Sequence, residues 1–72
     1  MEKFAERLKT LRKLKKLKQT DMSDFLKCTT RHYQQIEYGK INIPALSLVA
    51  LADYFEVSLD YLVGRSDNPN RQ

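Results

Sequence analysis

The sequence has no tryptophan, a single cysteine, two glycines and two prolines in 72 residues. With Cys28 alone, no internal disulfide framework can form, which excludes a disulfide-stapled secreted scaffold and fits a reducing cytoplasm. There is no long hydrophobic run either. The N-terminal stretch MEKFAERLKTLRKLKKLK has charges between its apolar residues, so it reads neither as a signal peptide nor as a membrane span. Strand-like alternation, internal repeats and low-complexity segments are also missing. A chain this short forms one domain and buries only about 60% of the surface its unfolded form exposes, which leaves little room for an active-site cleft.

What is there in quantity is positive charge, and it is unevenly placed. The formal net charge is +4, with eight Lys or Arg against two Glu in residues 1–18. Residues 19–40 balance at three each, and residues 41–72 carry two cations against four acids. A basic third joined to an acidic third suggests one surface suited to phosphates and another turned away from them, although a solvated basic helix would have the same composition.

Apolar periodicity then divides the chain into five short helices, an all-α bundle. Phe4, Leu8 and Leu11, with Ala5 and Arg12 at the rim, predict a first helix over 2–15, closed by Leu17. Met22, Ser23 and Leu26 share a face of a second over 19–26, with Asp21 near its positive end. Thr29 is the expected N-cap of a third over about 30–37, in which Tyr33 and Ile36 face inward and after which Gly39 is the left-handed stop. Cys28 and Tyr33 then have hydrophobic-staple spacing, which makes Cys28 a packing residue. Pro44 suits the first position of a fourth helix over 44–55, with the stripe Leu48, Leu51, Ala52 and Phe55. Ser58 caps a short fifth helix with Val57 and Leu62 at staple spacing, and Gly64 stops it. Residues 1–66 are expected to form the domain and 67–72 a polar tail, with RSDNPNRQ fraying.

Four segments, RLKTLR at 7–12, LKQTDMSDFL at 17–26, TTRHYQQIEYGK at 29–40 and ADYFEVSLDYLVG at 52–64, resemble in order and spacing the lambda-repressor/Cro family of helix-turn-helix regulators, the xenobiotic-response-element type. The resemblance implies that the third helix enters the major groove of DNA while the second crosses the backbone. It nominates Thr30, Arg31 and Gln35 as base-reading residues, His32 and Gln34 as additional DNA contacts, and Gln19, Thr29, Tyr38 and Lys40 as phosphate contacts. Arg suits guanine and Gln suits adenine by paired hydrogen bonds, although an amphipathic helix also needs a polar face of some kind. The family pattern also pairs Arg12 with Glu37. Independently, an acid at the C-terminal end of a helix opposes the macrodipole and calls for a cation. Where family members carry Gly this chain has Lys16 and Lys27, and where they carry a Ser or Thr cap it has Lys18. A left-handed turn at Lys27 would cost about 1–2 kcal/mol.

The expected partner is a double-stranded DNA operator bound by a homodimer, in a cytoplasmic, nucleoid-associated repressor without cofactor, metal or membrane contact. Three other classes compete with that reading. Cys28 and His32, at i and i+4, could be a nucleophile and base or half a metal site, but two ligands do not make a structural zinc site. Leu14, Leu46, Tyr61 and Val63 lie outside the clearest core stripe and could serve an antitoxin-like protein-interaction module. Membrane association through the basic first helix is opposed by its glutamates and by the lack of Trp.

Overall fold

Helical periodicity is realised nearly residue for residue. The computed structural model describes residues 2–71 and, among them, five α-helices: α1 (Glu2–Leu14), α2 (Gln19–Leu26), α3 (Thr30–Glu37), α4 (Ala45–Phe55) and α5 (Leu59–Leu62). Met1 and Gln72, the ends of the expected domain and tail, lie outside the described residues. The Cα radius of gyration is 11.1 Å, matching the ~11 Å expected of a compact chain of this length. α3 packs on both α1 and α2, while α5 packs on α1 and α4. One core unites the five: Phe4 and Leu8 from α1, Met22 from α2, Tyr33 and Ile36 from α3, Leu51, Ala52 and Phe55 from α4, Leu62 from α5, and Val57 between the last two. Leu11, Leu17, Leu26, Cys28, Leu48 and Tyr61 pack against it, half-buried.

The N-termini follow side-chain chemistry. Thr29 Oγ1 accepts from the His32 backbone N–H at 3.1 Å, and Ser58 Oγ from that of Tyr61 at 3.0 Å, so both expected caps form. At α2 the ammonium of Lys18 has no acceptor to offer, and only the reciprocal bond exists: the Lys18 N–H donates to the Asp21 carboxylate at 2.8 Å. Pro44 corrects an expectation. It is the N-cap, not the first helical residue, with φ −61° and an extended ψ of 153°. Its carbonyl already accepts from Ser47 and Leu48, and the ring's fixed φ is compatible with either position.

The C-termini share one device. After each helix a residue turns left-handed: Lys16, Lys27, Gly39, Glu56 and Gly64. Around each, two backbone bonds close the helix, as in Leu17 N–H to Arg12 C=O at 3.1 Å and Lys16 N–H to Lys13 C=O at 3.0 Å, with equivalent pairs at the other four ends. Only two of the five positions are glycine. Lys16, Lys27 and Glu56 hold φ of 56–57°, each against the steric cost that the Cβ imposes there. α1 accordingly ends at Leu14, one residue before the expected boundary, because Lys16 must leave the helix to make this turn.

The expected fraying of the tail is also corrected, since residues 65–71 fold back over the α1–α5 end. The Arg7 guanidinium, stacked 4.0 Å from the centroid of the Tyr61 ring, donates to the carbonyls of Tyr61 and Ser66 and reaches Asp67 at 2.7 Å. Ser58 N–H donates to the Pro69 carbonyl at 3.0 Å. Arg71 donates to the carbonyls of Ala52 and Val57 and pairs with Asp53 at 2.6 Å. Its cation thus adds a second donor to the Ala52 carbonyl, which already accepts from the Val57 N–H, at the end of α4 where the dipole is negative.

Candidate nucleic-acid interface

Beyond the shared core, one carboxylate ties the α2–turn–α3 unit to α1. Glu37, the last residue of α3, accepts from Arg12 Nε at 2.8 Å and from Arg12 Nη2 at 3.0 Å. The third arm of the same guanidinium donates to the Leu17 carbonyl at 2.9 Å. One α1 side chain therefore fixes both the α3 end and the connection entering α2, as the sequence pairing of these residues anticipates. Burial on its own would raise the Glu37 carboxyl, but the hydrogen bonds and charge of Arg12, with Gln19 adding to them, overcome it and hold the group below the usual carboxylate range. Arg12 is shifted the other way, chiefly by its bond to Glu37. Beside this pair, burial and then the neighbouring carboxylate lift the Tyr33 phenol far above its ordinary range. Its buried hydroxyl meets no partner at hydrogen-bonding geometry among the described residues.

The nominated DNA-contacting residues separate into two groups. Arg31, His32, Tyr38 and Lys40 are exposed and Gln35 is half-buried. Among the described residues, their side chains make no hydrogen bond or ion pair within the chain. Arg31 and Gln35 stand at i and i+4 on α3 and so share a face. The others are engaged internally. Thr30 Oγ1 lies 3.3 Å from the buried Ser23 hydroxyl, which itself donates to the Thr20 carbonyl, so this nominated base reader also seams α2 to α3. Thr29 is occupied as a cap. Gln19, the first residue of α2, donates to Glu37 Oε1 at 3.4 Å and accepts from Gln34 Nε2 at 3.0 Å.

That last contact escaped sequence reasoning, since nothing in a periodicity argument brings residues 19 and 34 together. The inward roles of Arg7 and Arg71 escaped it for the same reason. Two of the eight cations in residues 1–18, Arg7 and Arg12, turn out to be internal ties, which leaves six lysines to form the basic surface. Four of these, Lys13, Lys15, Lys16 and Lys18, are exposed around the entry to α2.

Cys28 and His32 line a depression of about 220 Å³ with Leu26, Ile36, Ile43, Pro44 and Ser47. Burial pushes the Cys28 thiol up, away from the thiolate a nucleophile needs, and its packing against the core fits the staple. No helix among the described residues is long and apolar enough to cross a membrane.

Comparison with known proteins shows the family. The chain is 38% identical over 65 residues to the uncharacterized HTH-type transcriptional regulator YqaE of Bacillus subtilis (strain 168), covering 90% of this chain and 56% of that protein. It is 31% identical over 67 residues to the uncharacterized HTH-type transcriptional regulator YobD of the same organism, covering 93% of this chain and 60% of that protein. The chain therefore spans little more than half the length of these relatives. No solved structure matches it at a significant level. The helix-turn-helix family profile matches residues 8–62, from the middle of α1 to the end of α5, and the chain belongs to that family, in its lambda-repressor/Cro-like form.

Proposed function

We propose that this domain binds double-stranded DNA sequence-specifically as a transcriptional regulator, a repressor, with α3 in the major groove and α2 across the backbone. The observation that carries the reading is the face of α3. Arg31 and Gln35 stand one turn apart, their side chains without hydrogen-bond or ion-pair partners among the described residues, on a helix tied to α1 by the Arg12–Glu37 pair and in a chain whose relatives are HTH-type transcriptional regulators. Arg can donate twice to a guanine edge, and Gln can donate to adenine N7 while accepting from its N6 amino group. Thr30 joins them as a base reader, and His32 and Gln34 flank the groove. Gln19, Thr29, Tyr38, Lys40 and the lysines around the entry to α2 supply the backbone contacts, which orient the domain without reading sequence. This is binding rather than catalysis. On an operator the domain acts as a homodimer, with two reading helices about 34 Å apart.

Selection from random duplex DNA tests the reading, followed by titration of single-base variants of the selected site at one fixed salt concentration. A two-fold-related motif is expected. Arg31→Ala should cost about 1–3 kcal/mol on the selected site and relax preference at one base pair of each half-site, while Gln35→Ala relaxes another. Uniform weakening by both variants, with every base preference intact, overturns α3 as the reader. A different use of the fold, as an antitoxin-like interaction module, draws support from Leu14 and Leu46, which are 74% and 83% exposed. Failure of the selection to enrich any motif would favour it.

A further inference from the structure

We propose that Gln34 is a positioning residue acting through Gln19: it locks the Gln19 carboxamide in the orientation that turns an N–H, rather than the carbonyl, towards a DNA phosphate. The inference rests on the DNA-binding reading above and assigns Gln34 a role other than direct contact. A carboxamide has a carbonyl end that accepts and an amino end that donates two hydrogens. Gln19 Oε1 accepts from Gln34 Nε2 at 3.0 Å, and Gln19 Nε2 faces Glu37 Oε1 at 3.4 Å. Taken alone, a pair of glutamines is indifferent to orientation, because turning both amides over restores the same hydrogen bond with donor and acceptor exchanged. Glu37 removes that indifference. Its buried carboxylate is held charged by Arg12, accepts only, and would repel the Gln19 carbonyl in the turned arrangement.

The order along this chain of contacts is therefore directional. Arg12 fixes the charge on Glu37, Glu37 selects the amino end of Gln19, and Gln34 holds the carbonyl end. One Nε2 hydrogen of Gln19 points at Glu37 and the other is left over. Gln19 is also the first residue of α2, whose opening turn lacks a side-chain cap acceptor from Lys18. The leftover donor thus joins free backbone N–H groups, the arrangement that suits an anionic oxygen. Without Gln34 the side chain keeps only its long contact to Glu37 and must be ordered again each time DNA binds.

The test uses the 72-residue chain with Gln34→Leu, Gln19→Leu and the double variant, titrated against the selected duplex and its single-base variants. Gln34→Leu should weaken every duplex about three- to ten-fold, the range expected for one hydrogen bond, with base preferences retained. In the Gln19→Leu background the same change should have no further effect. In the free protein, Gln34→Leu should speed exchange of the Gln19 side-chain amide protons with water, read by NMR without any DNA. Independent, additive losses in the cycle overturn the proposal, as does a loss confined to one base pair, which would make Gln34 a direct reader. Unchanged Gln19 exchange in the free variant overturns it too, whatever the DNA results. A wild-type chain that binds no duplex overturns the DNA reading and this role with it, and is distinguished because the Gln19 exchange still responds in the free protein.

Discussion

Glu37→Gln is the substitution that most directly tests what holds the reading unit in place. It preserves the shape of the side chain but removes the negative charge from a group whose side chain is 1% exposed and whose partner Arg12 is 11% exposed. Breaking a buried pair from one side costs about 3–5 kcal/mol, because the surviving charge stays out of water. Arg12 keeps its bond to the Leu17 carbonyl and can donate to the new amide oxygen, which places the expected loss near the lower end, about 3 kcal/mol. A 72-residue domain has about 4–11 kcal/mol of stability in all. The midpoint of thermal unfolding should therefore fall by about 12–24 °C, followed by circular dichroism at neutral pH. Lys40→Gln, on an exposed residue outside any ion pair among the described residues, should stay within about 0.5 kcal/mol of wild type. Acid supplies a second reading. The folded carboxyl lies below its ordinary value, so its stabilisation is present in full above the unfolded pKa of about 4.3 and is lost as pH falls through the folded one. The gap between wild type and Glu37→Gln should narrow below about pH 4. Equal midpoints for Glu37→Gln and Lys40→Gln, or a gap unchanged in acid, would refute the pairing as a structural tie.

Two further substitutions address parts of the fold that side-chain periodicity does not reveal. Lys27→Gly relieves a left-handed residue at φ 57° and should stabilise by about 1 kcal/mol net of the added chain entropy, seen as a higher midpoint in urea; a lower midpoint would show that the lysine makes a stabilising contact in its place. Arg7→Met should cost about 2 kcal/mol through lost bonds from a charged donor to the Tyr61 and Ser66 carbonyls, and should speed hydrogen exchange at the Ser58 N–H, which is bonded to Pro69. Asp67→Asn should change little, because Asp67 is 94% exposed. Equal effects of these two variants would locate the tie in the surface ion pair instead.

Much of the fold was legible because local chemistry dictates it. Helical stripes, the Thr29 and Ser58 caps, and the Gly39 and Gly64 stops each depend on residues within a turn or two of one another. The Arg12–Glu37 tie was legible for a different reason: an acid at a helix C-terminus is a local anomaly that demands a remote partner, and the family pattern named it. The left-handed turn at Glu56 left no such mark. Glu is compatible with continuing a helix, and what stops α4 there is closure onto Val57, a core residue whose N–H reaches back to the Ala52 carbonyl. Tertiary burial of the following residue selects the turn, and sequence alone does not show that it will be buried. The tail departs from its expected fraying on the same ground. Polar composition predicts fraying, yet Arg71 donates to the carbonyls of Ala52, in the last turn of α4, and of Val57, just beyond it, backbone acceptors that no residue type advertises.

The candidate site shows where this distinction matters most, because a polar residue on α3 can serve either the groove or the fold. Composition treats Thr30, Arg31, Gln34 and Gln35 alike. Their contacts differ: Thr30 meets Ser23 and Gln34 meets Gln19, whereas Arg31 and Gln35 keep their hydrogen-bonding groups uncommitted among the described residues. A side chain already committed within the fold has fewer hydrogen-bonding groups left for a base, and where reading requires it to release its internal bond it loses that bond's net value of about 0.5–1.5 kcal/mol. An uncommitted one gives up only water and side-chain freedom. Substituting Arg31 or Gln35 should therefore alter sequence preference with little change in unfolding midpoint, whereas Thr30→Val should lower the midpoint as well as affinity by breaking the contact between α2 and α3. That pairing of a stability readout with a specificity readout separates readers from supports on one short helix, where sequence position alone does not.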